Sequence, residues 1–200
     1  MNLALFDFDG TITTRETFPD FIRFAVEPRR FALGKAVLAP LILGYKLGFV
    51  SGSLIRAAIV RFGFSGMALA NLESRGLAFA QQVLPDVVRP EALQRIGWHK
   101  SQGDTVVVVS GALDSYLAHW CRSQRLELIC SSLEHRDGTL SGRYLGAQCV
   151  LGEKSRRVKE RYDLSRYGIV YAYGDTSEDL HLLAIADRQY YRWQEMAACP

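Results

Sequence analysis

Cysteine is scarce in this chain and scattered: Cys121, Cys130, Cys149 and Cys199 form no CxxC pair and have no histidine ladder nearby. That argues against a disulfide framework and a cysteine–histidine zinc site, and fits reduced thiols in a cytoplasmic protein. Neither sign of charge dominates. The 24 Lys and Arg against 21 Asp and Glu leave a formal net charge of +3, which gives no reason to expect nucleic acid as a partner. No apolar run reaches the roughly 20 residues of a membrane-spanning helix. The nearest, Ala36 to Val50 (AVLAPLILGYKLGFV), is interrupted by Pro40 and Lys46. A buried helix or a dimer contact is the first expectation for it, and a segment lying against a membrane surface is the alternative. The N-terminus, Met1-Asn2-Leu3-Ala4-Leu5-Phe6, lacks the basic start and long apolar run of a signal peptide. Repeats and low-complexity tracts are missing too. What is present is an ordinary globular composition, 48% hydrophobic and 22% charged over 200 residues, sufficient for one compact core with an insertion.

The apolar pattern divides the chain. Leu3-Ala4-Leu5-Phe6 is a short run that stops in Asp-x-Asp-Gly, as a buried parallel strand does when it ends in a turn. From Thr13 to Pro85 the spacings are helical: Phe18, Phe21, Ile22 and Ala25, then Leu54, Ala57, Ala58 and Arg61, then Met67 to Val83. After Pro85 a helix over 90–102, closed by Gly103, precedes the β-branched run Thr105 to Val109. Further strands are expected near 126–129, 168–173 and 190–192, with helices over 114–124, 153–161 and 178–186. Asp137-Gly138 between extended runs marks a hairpin. Alternating strands and helices predict an α/β fold, a Rossmann-like parallel sheet with helices on both faces. The expected division is residues 1–12 and 86–200 as the α/β core, and 13–85 as a helical cap inserted after the first strand.

In such sheets ligands bind beyond the carboxyl ends of the strands. Asp7, Ser110 and Asp175 each follow an apolar strand run, so all three are expected at one edge. A carboxylate can attack phosphorus to give an acyl phosphate that water later hydrolyses. A neighbouring carboxyl such as Asp9 can protonate the leaving alkoxide and then deprotonate the attacking water. Asp7-Phe8-Asp9 taken alone also fits a turn or a helix cap. Asp175 and Asp179, four residues apart in GDTSED, can offer hard oxygens to magnesium or serve near a helix start. Lys154, opening a helix, can balance phosphoryl oxygens and Asp7, or stand as a surface charge. Ser110-Gly111 offers a hydroxyl and an N–H at an expected helix start, suited to phosphate, or a simple cap.

The order DFDGT, VVVVSG, GEK, GDTSED resembles the haloacid dehalogenase superfamily of phosphatases, in its phosphoserine phosphatase-like branch (subfamily IB), over nearly the whole chain. The resemblance implies a magnesium-dependent phosphomonoester hydrolase with covalent phospho-Asp7 and acid/base Asp9. It implies phosphate contacts from Ser110, Gly111 and Lys154. It also implies Mg2+ held by the Asp7 side chain, the Asp9 carbonyl and Asp175, with Asp179 in or just behind the metal shell. Glycine rather than lysine after the second aspartate is the phosphatase pattern.

Glu16 stands where that branch carries a glutamate for a substrate ammonium group; a helix-dipole role is the plain alternative. Arg56, with Arg61 a looser fit, is the cap candidate for a substrate carboxylate. A small soluble phosphomonoester, phosphoserine-like in kind, is the first substrate expectation. The apolar cap edged by Arg29, Arg30 and Lys35 keeps a second open, since some relatives with this look dephosphorylate phosphatidylglycerophosphate at the membrane. From other classes, a phosphotransferase or a non-catalytic binding module would share the framework. The expected location is cytoplasmic, with peripheral contact at the inner membrane face as the variant.

Overall fold

A computed structural model of the chain describes residues 1–196, so Cys199 lies outside the described residues. The sheet comprises β1 (Leu3–Phe6), β2 (Thr105–Leu113), β3 (Glu127–Ser131), β6 (Val170–Gly174), β7 (Arg188–Tyr191) and β8 (Gln194–Glu195). The strand order is β3-β2-β1-β6-β7-β8. All pairs are parallel except the short β7–β8 return. A separate antiparallel hairpin pairs β4 (Leu133–Arg136) with β5 (Thr139–Tyr144) through Asp137 and Gly138, both at positive φ. The β1 strand has a neighbour on each side and is wholly buried, which is why it reads as continuous apolar sequence.

Between β1 and β2 the chain is helical: α1 (Phe18–Ala25), α2 (Pro28–Val37), α3 (Ala39–Lys46), α4 (Gly52–Phe64), α5 (Leu69–Gln82), α6 (Leu84–Val87) and α7 (Pro90–Ser101). Proline opens several of these, at the first or second helical position of α1, α2, α3 and α7, where its missing N–H costs nothing. After β2 come α8 (Asp114–Gln124), α9 (Gly152–Arg161) and the short α10 (Leu180–Leu183). The last of these begins with a 3-10 turn and is shorter than the helix expected over 178–186.

Alternation along the strands builds two cores. Ala4, Phe6, Val106 and Val108 face one cluster that also takes Phe21, Phe64, Phe79 and Tyr116. Leu3, Leu5, Val107 and Val109 face the other, closed by Val158, Leu182 and Leu183. The inserted helices therefore share a continuous core with one face of the sheet. Their tightest seam is α5 on α8, where a Cβ built on Gly76 would lie 1.8 Å from the Ser115 carbonyl oxygen. By contrast α3 has no buried residue at all. The expectation of a buried helix over Ala36–Val50 is thus corrected: the segment is broken at Leu38 into the end of α2 and α3, the chain turns back at Gly48 with φ 81°, and α3 meets α4 without burying a residue.

The α5–α8 seam yields a stability test. Replacing Gly76 with alanine adds about 1 kcal/mol of helix propensity, yet overpacking against backbone costs about 1–3 kcal/mol. Gly76→Ala should lower the melting temperature by several degrees in a circular-dichroism melt. An unchanged or higher midpoint would mean that the two helices do not meet this closely.

Candidate active site

The parallel order brings the ends of β1, β2 and β6 to one edge, and the expected acids gather there. Carboxylate oxygens of Asp7, Asp175 and Asp179 all lie within 4.8 Å of one another. Lys154, on the first turn of α9, is 3% exposed and donates to Asp7 Oδ1 at 2.5 Å and to Asp179 Oδ1 at 2.6 Å. It is no surface charge. Burial works against its ammonium, but Asp7 and Asp179 outweigh that and hold it charged well above the ordinary lysine range. Burial lifts the Asp7 carboxyl well above its usual value, against the pull of Lys154. Three acids around one ammonium make a donor set of hard oxygens that suits a divalent cation.

The individual roles are more differentiated than the sequence suggests. Asp179 Oδ2 accepts from the backbone N–H groups of Asp175 and Thr176, both at 3.1 Å, while Oδ1 holds Lys154. Both its oxygens are committed, so it braces the loop from behind. The helix-start alternative is partly realised, because Thr176 and Asp179 form a capping box. Asp175 accepts from the Thr11 hydroxyl at 3.0 Å and packs against Gly10. A Cβ at Gly10 would stand 2.3 Å from Asp175 Oδ2, and its φ of 82° is itself a left-handed conformation. Glycine is needed here on both counts.

Asp9 is half-buried. Its Oδ1 accepts from the Thr17 N–H at 2.8 Å and the Thr17 hydroxyl at 2.5 Å, and Thr17 in turn meets Tyr116 Oη at 3.0 Å. Burial raises the Asp9 carboxyl above its usual value, with the Thr17 bonds pulling it back. Ser110 corrects an expectation. It is not at a helix start but inside β2, which runs on through a bulge to Leu113, with α8 beginning at Asp114. Its Oγ accepts from the Ala112 N–H at 3.1 Å, shaping that strand end. Gly111 lies beneath Arg56, whose Nη1 is 3.0 Å from where a Cβ on Gly111 would stand.

Arg56 reaches across from α4 to the core, its Nη2 donating to both oxygens of Glu178 at 3.0 and 3.1 Å. Arg61, by contrast, is exposed. Glu16 lies ahead of α1 and outside it, with Thr17 as the N-cap and Asp20 as the first-turn acid, so the helix-dipole role falls to Asp20. Glu16 stands at the rim, exposed overall. Even so, its carboxyl is pushed up to about 7, first by partial loss of water and then by Asp9, with Arg56 opposing. Sequence reasoning missed Thr17, Thr11 and Glu178 as parts of the site. Only the placement of Thr11 and Glu178 within the quoted motifs signalled them. Tyr144 Oη and Gln148 Oε1 are buried polar atoms without a protein partner among the described residues. Gln148 is tied to α4 through the Ser53 carbonyl, 2.7 Å from its Nε2.

The family model for haloacid dehalogenase-like hydrolases matches residues 4–184. The chain belongs to that family. Protein CicA of Caulobacter vibrioides is 33% identical over 196 residues, covering 95% of this chain and 85% of the relative. Among solved structures, a protein of unknown function from Bordetella pertussis Tohama I superposes with a TM-score of 0.81 at 21% identity, covering 95% of this chain and 89% of that one. A phosphoserine phosphatase captured as a phospho-aspartyl intermediate analogue gives a TM-score of 0.66 at 19% identity, covering 95% and 85%. At these identities the structural neighbours establish the shared fold, a mostly parallel sheet with helices on both sides. This chain is a hydrolase of the family.

The buried triad generates a pH test. Replacing Lys154 by methionine leaves Asp7 and Asp179 uncompensated, and breaking a buried pair costs about 3–5 kcal/mol. With the Asp7 carboxyl raised in the folded state, the folded chain binds more protons there than the unfolded one, so stability falls as pH rises. In chelator, Lys154→Met should melt lower than the wild type, and the gap should widen from pH 5 to pH 8. A gap independent of pH would show that packing, not charge, is what Lys154 supplies.

Proposed function

We propose that this chain is a magnesium-dependent phosphomonoester hydrolase in which Asp7 is the covalent nucleophile. The observation that carries the reading is Lys154 buried on Asp7, with carboxylate oxygens of Asp175 and Asp179 within 4.8 Å at the same strand edge. Lys154 occupies Asp7 Oδ1, which leaves Oδ2 for attack on phosphorus. As the Asp7 O–P bond forms, the P–O bond to the leaving group breaks, and Asp9 donates its proton to the departing alkoxide. Burial raises the Asp9 carboxyl, which favours its acid form, and Thr17 aims it. Asp9 then takes a proton from water as that water attacks phosphorus, the Asp7 O–P bond breaks, and phosphate leaves. Asp7, Asp175 and the Asp9 carbonyl would hold Mg2+, which when bound neutralises charge on the phosphoryl oxygens. Ser110, the Gly111 N–H and Lys154 are the phosphate contacts in this reading.

Residues 13–85 act as the cap that selects the substrate. Glu16 and Arg56 stand at the mouth with opposite charge, which fits a small phosphomonoester carrying both an ammonium and a carboxylate, as phosphoserine does. A second reading, a phosphomonoester on a membrane lipid, is favoured by the exposed apolar surface of α3 beside the same mouth. Phosphoryl transfer to another acceptor shares every step up to the attack by water.

Phosphate release from a panel of soluble and lipid phosphomonoesters, with magnesium and with chelator, tests the class and chooses the substrate. Asp7→Asn should lose at least about 1000-fold in turnover with an unchanged melting profile. Asp9→Asn should lose about 100- to 10,000-fold on poor leaving groups and less on good ones, and should accumulate phosphorylated Asp7 by intact mass. Full activity in a folded Asp7→Asn protein would end the covalent reading. Arg56→Met should raise KM for a carboxylate-bearing substrate more than it lowers kcat, and leave a substrate without that carboxylate little changed. Equal KM changes for both would remove Arg56 from recognition.

A further inference from the structure

The segment from Ala36 to Val50 is apolar, yet among the described residues it rests only edge-on against α4 and most of its surface is left uncovered. Leu33, Val37, Leu43, Leu47 and Phe49 are all exposed, Leu47 at 61% and Phe49 at 85%. A helix that is hydrophobic all round belongs in an apolar medium, and contiguous exposed apolar surface marks an interaction site. No helix among the described residues is long and apolar enough to cross a membrane, so the medium would have to be met sideways. Charge indicates its nature. Between Glu27 and Glu73 the chain carries six basic residues, Arg29, Arg30, Lys35, Lys46, Arg56 and Arg61, and not one acid. Arg29, Lys35 and Lys46 stand exposed along α2 and α3. Lysine stems can run along apolar surface while their heads remain at a charged interface.

The patch adjoins the mouth of the site. At Gly52, where α4 begins, a Cβ would be 3.8 Å from the Tyr45 ring, 3.3 Å from Arg56 Nη2 and 3.6 Å from Glu178 Oε1. The end of α3, the cap arginine and the core glutamate thus meet at one point. We propose that α2, α3 and the turn through Phe49 form a docking surface for an anionic lipid bilayer, which holds the site's mouth at the headgroup layer. Apolar side chains enter the interface and the lysines meet anionic headgroups, the combination by which surface helices bind bilayers. Docking stands on the patch alone; only the consequence for the substrate rests on the catalytic reading above.

Flotation of the purified chain with phosphatidylcholine vesicles, with and without phosphatidylglycerol, tests the proposal. Binding should be at least about tenfold tighter to the anionic vesicles and should weaken with added salt. The double variant Leu47→Ser/Phe49→Ser, at two exposed positions, should lose at least about tenfold in binding. It should keep its melting temperature and its hydrolysis of a small soluble aryl phosphate. Lys35→Glu/Lys46→Glu should lose the preference for anionic vesicles. Asp7→Asn should float as the wild type does, so a failure of the phosphatase reading is distinguishable from a failure of docking. A wild-type chain that ignores both vesicles, or serine variants that float undiminished, would overturn the proposal. So would a dimer in solution that Leu47→Ser/Phe49→Ser converts to monomer, since a second copy would then cover the face.

Discussion

One buried ammonium organises this molecule. Lys154 bridges Asp7 and Asp179, and Asp179 grips the backbone of 175 and 176 with its other oxygen. The end of β1, the start of α9 and the loop after β6 are therefore held by a single charge out of water. Burying an ion pair is not in itself a source of stability, because desolvation can exceed the Coulombic gain. What it supplies here is position. An unpaired partner in this place would be so costly that the three segments have one arrangement open to them. The turn leading to α9 reflects the constraint, for Leu151 sits at φ 52°, a conformation a leucine adopts only when its surroundings impose it.

That dependence explains which features could be read from residues alone. Asp7 and Asp175 were legible because each ends an apolar run, and the parallel sheet converts such ends into neighbours. Lys154 was legible only in company with the other motifs, since its own neighbourhood of arginines looks like a solvated helix face. Ser110 was assigned to a helix start because the valine run stops before it. The strand continues past that point through a bulge, and no local pattern marks the extra residues. Thr17 and Glu178 become meaningful only once Asp9 and Arg56 arrive from distant parts of the chain. The Ala36–Val50 run is the sharpest case. Its apolar character was plain, yet whether a helix is covered depends on what stands opposite, and among the described residues its outer face meets nothing.

The inserted helices are not alike in how they meet the sheet. The α5 helix interlocks with α8 at Gly76 and contributes Phe79 to the main core. The α2 and α3 helices touch mainly α4, with an apolar groove of about 240 Å³ left between α1, α2, α3 and α4. The α4 helix in turn packs on β5 and takes a hydrogen bond from Gln148 at Ser53, while its Arg56 meets Glu178 in a half-exposed pair of the kind worth about 1 kcal/mol or less. That weak pair and the exposed apolar surface lie on the same side of the site. A contact made by that surface would bear directly on α4, which carries Arg56.

The electrostatics of the pocket and its appetite for a cation are the same fact seen twice. Asp7, Asp9 and Asp175 all hold their protons more tightly than free carboxyls because burial disfavours three negative charges so close together. A proton relieves that stress one charge at a time. In the proposed reading a divalent cation would relieve two charges at once and leave Asp7 ionised for its role as nucleophile. Protons and the metal must compete for these oxygens, so loading the site expels protons. Asp9 escapes that competition in part: its Oδ1 is bonded to Thr17 and its carbonyl rather than its carboxylate faces the proposed metal role. With the proposed cation bound, that division would leave one carboxyl able to carry a proton while its neighbour two residues away is held ionised, which is the asymmetry that acid/base chemistry beside a nucleophile requires.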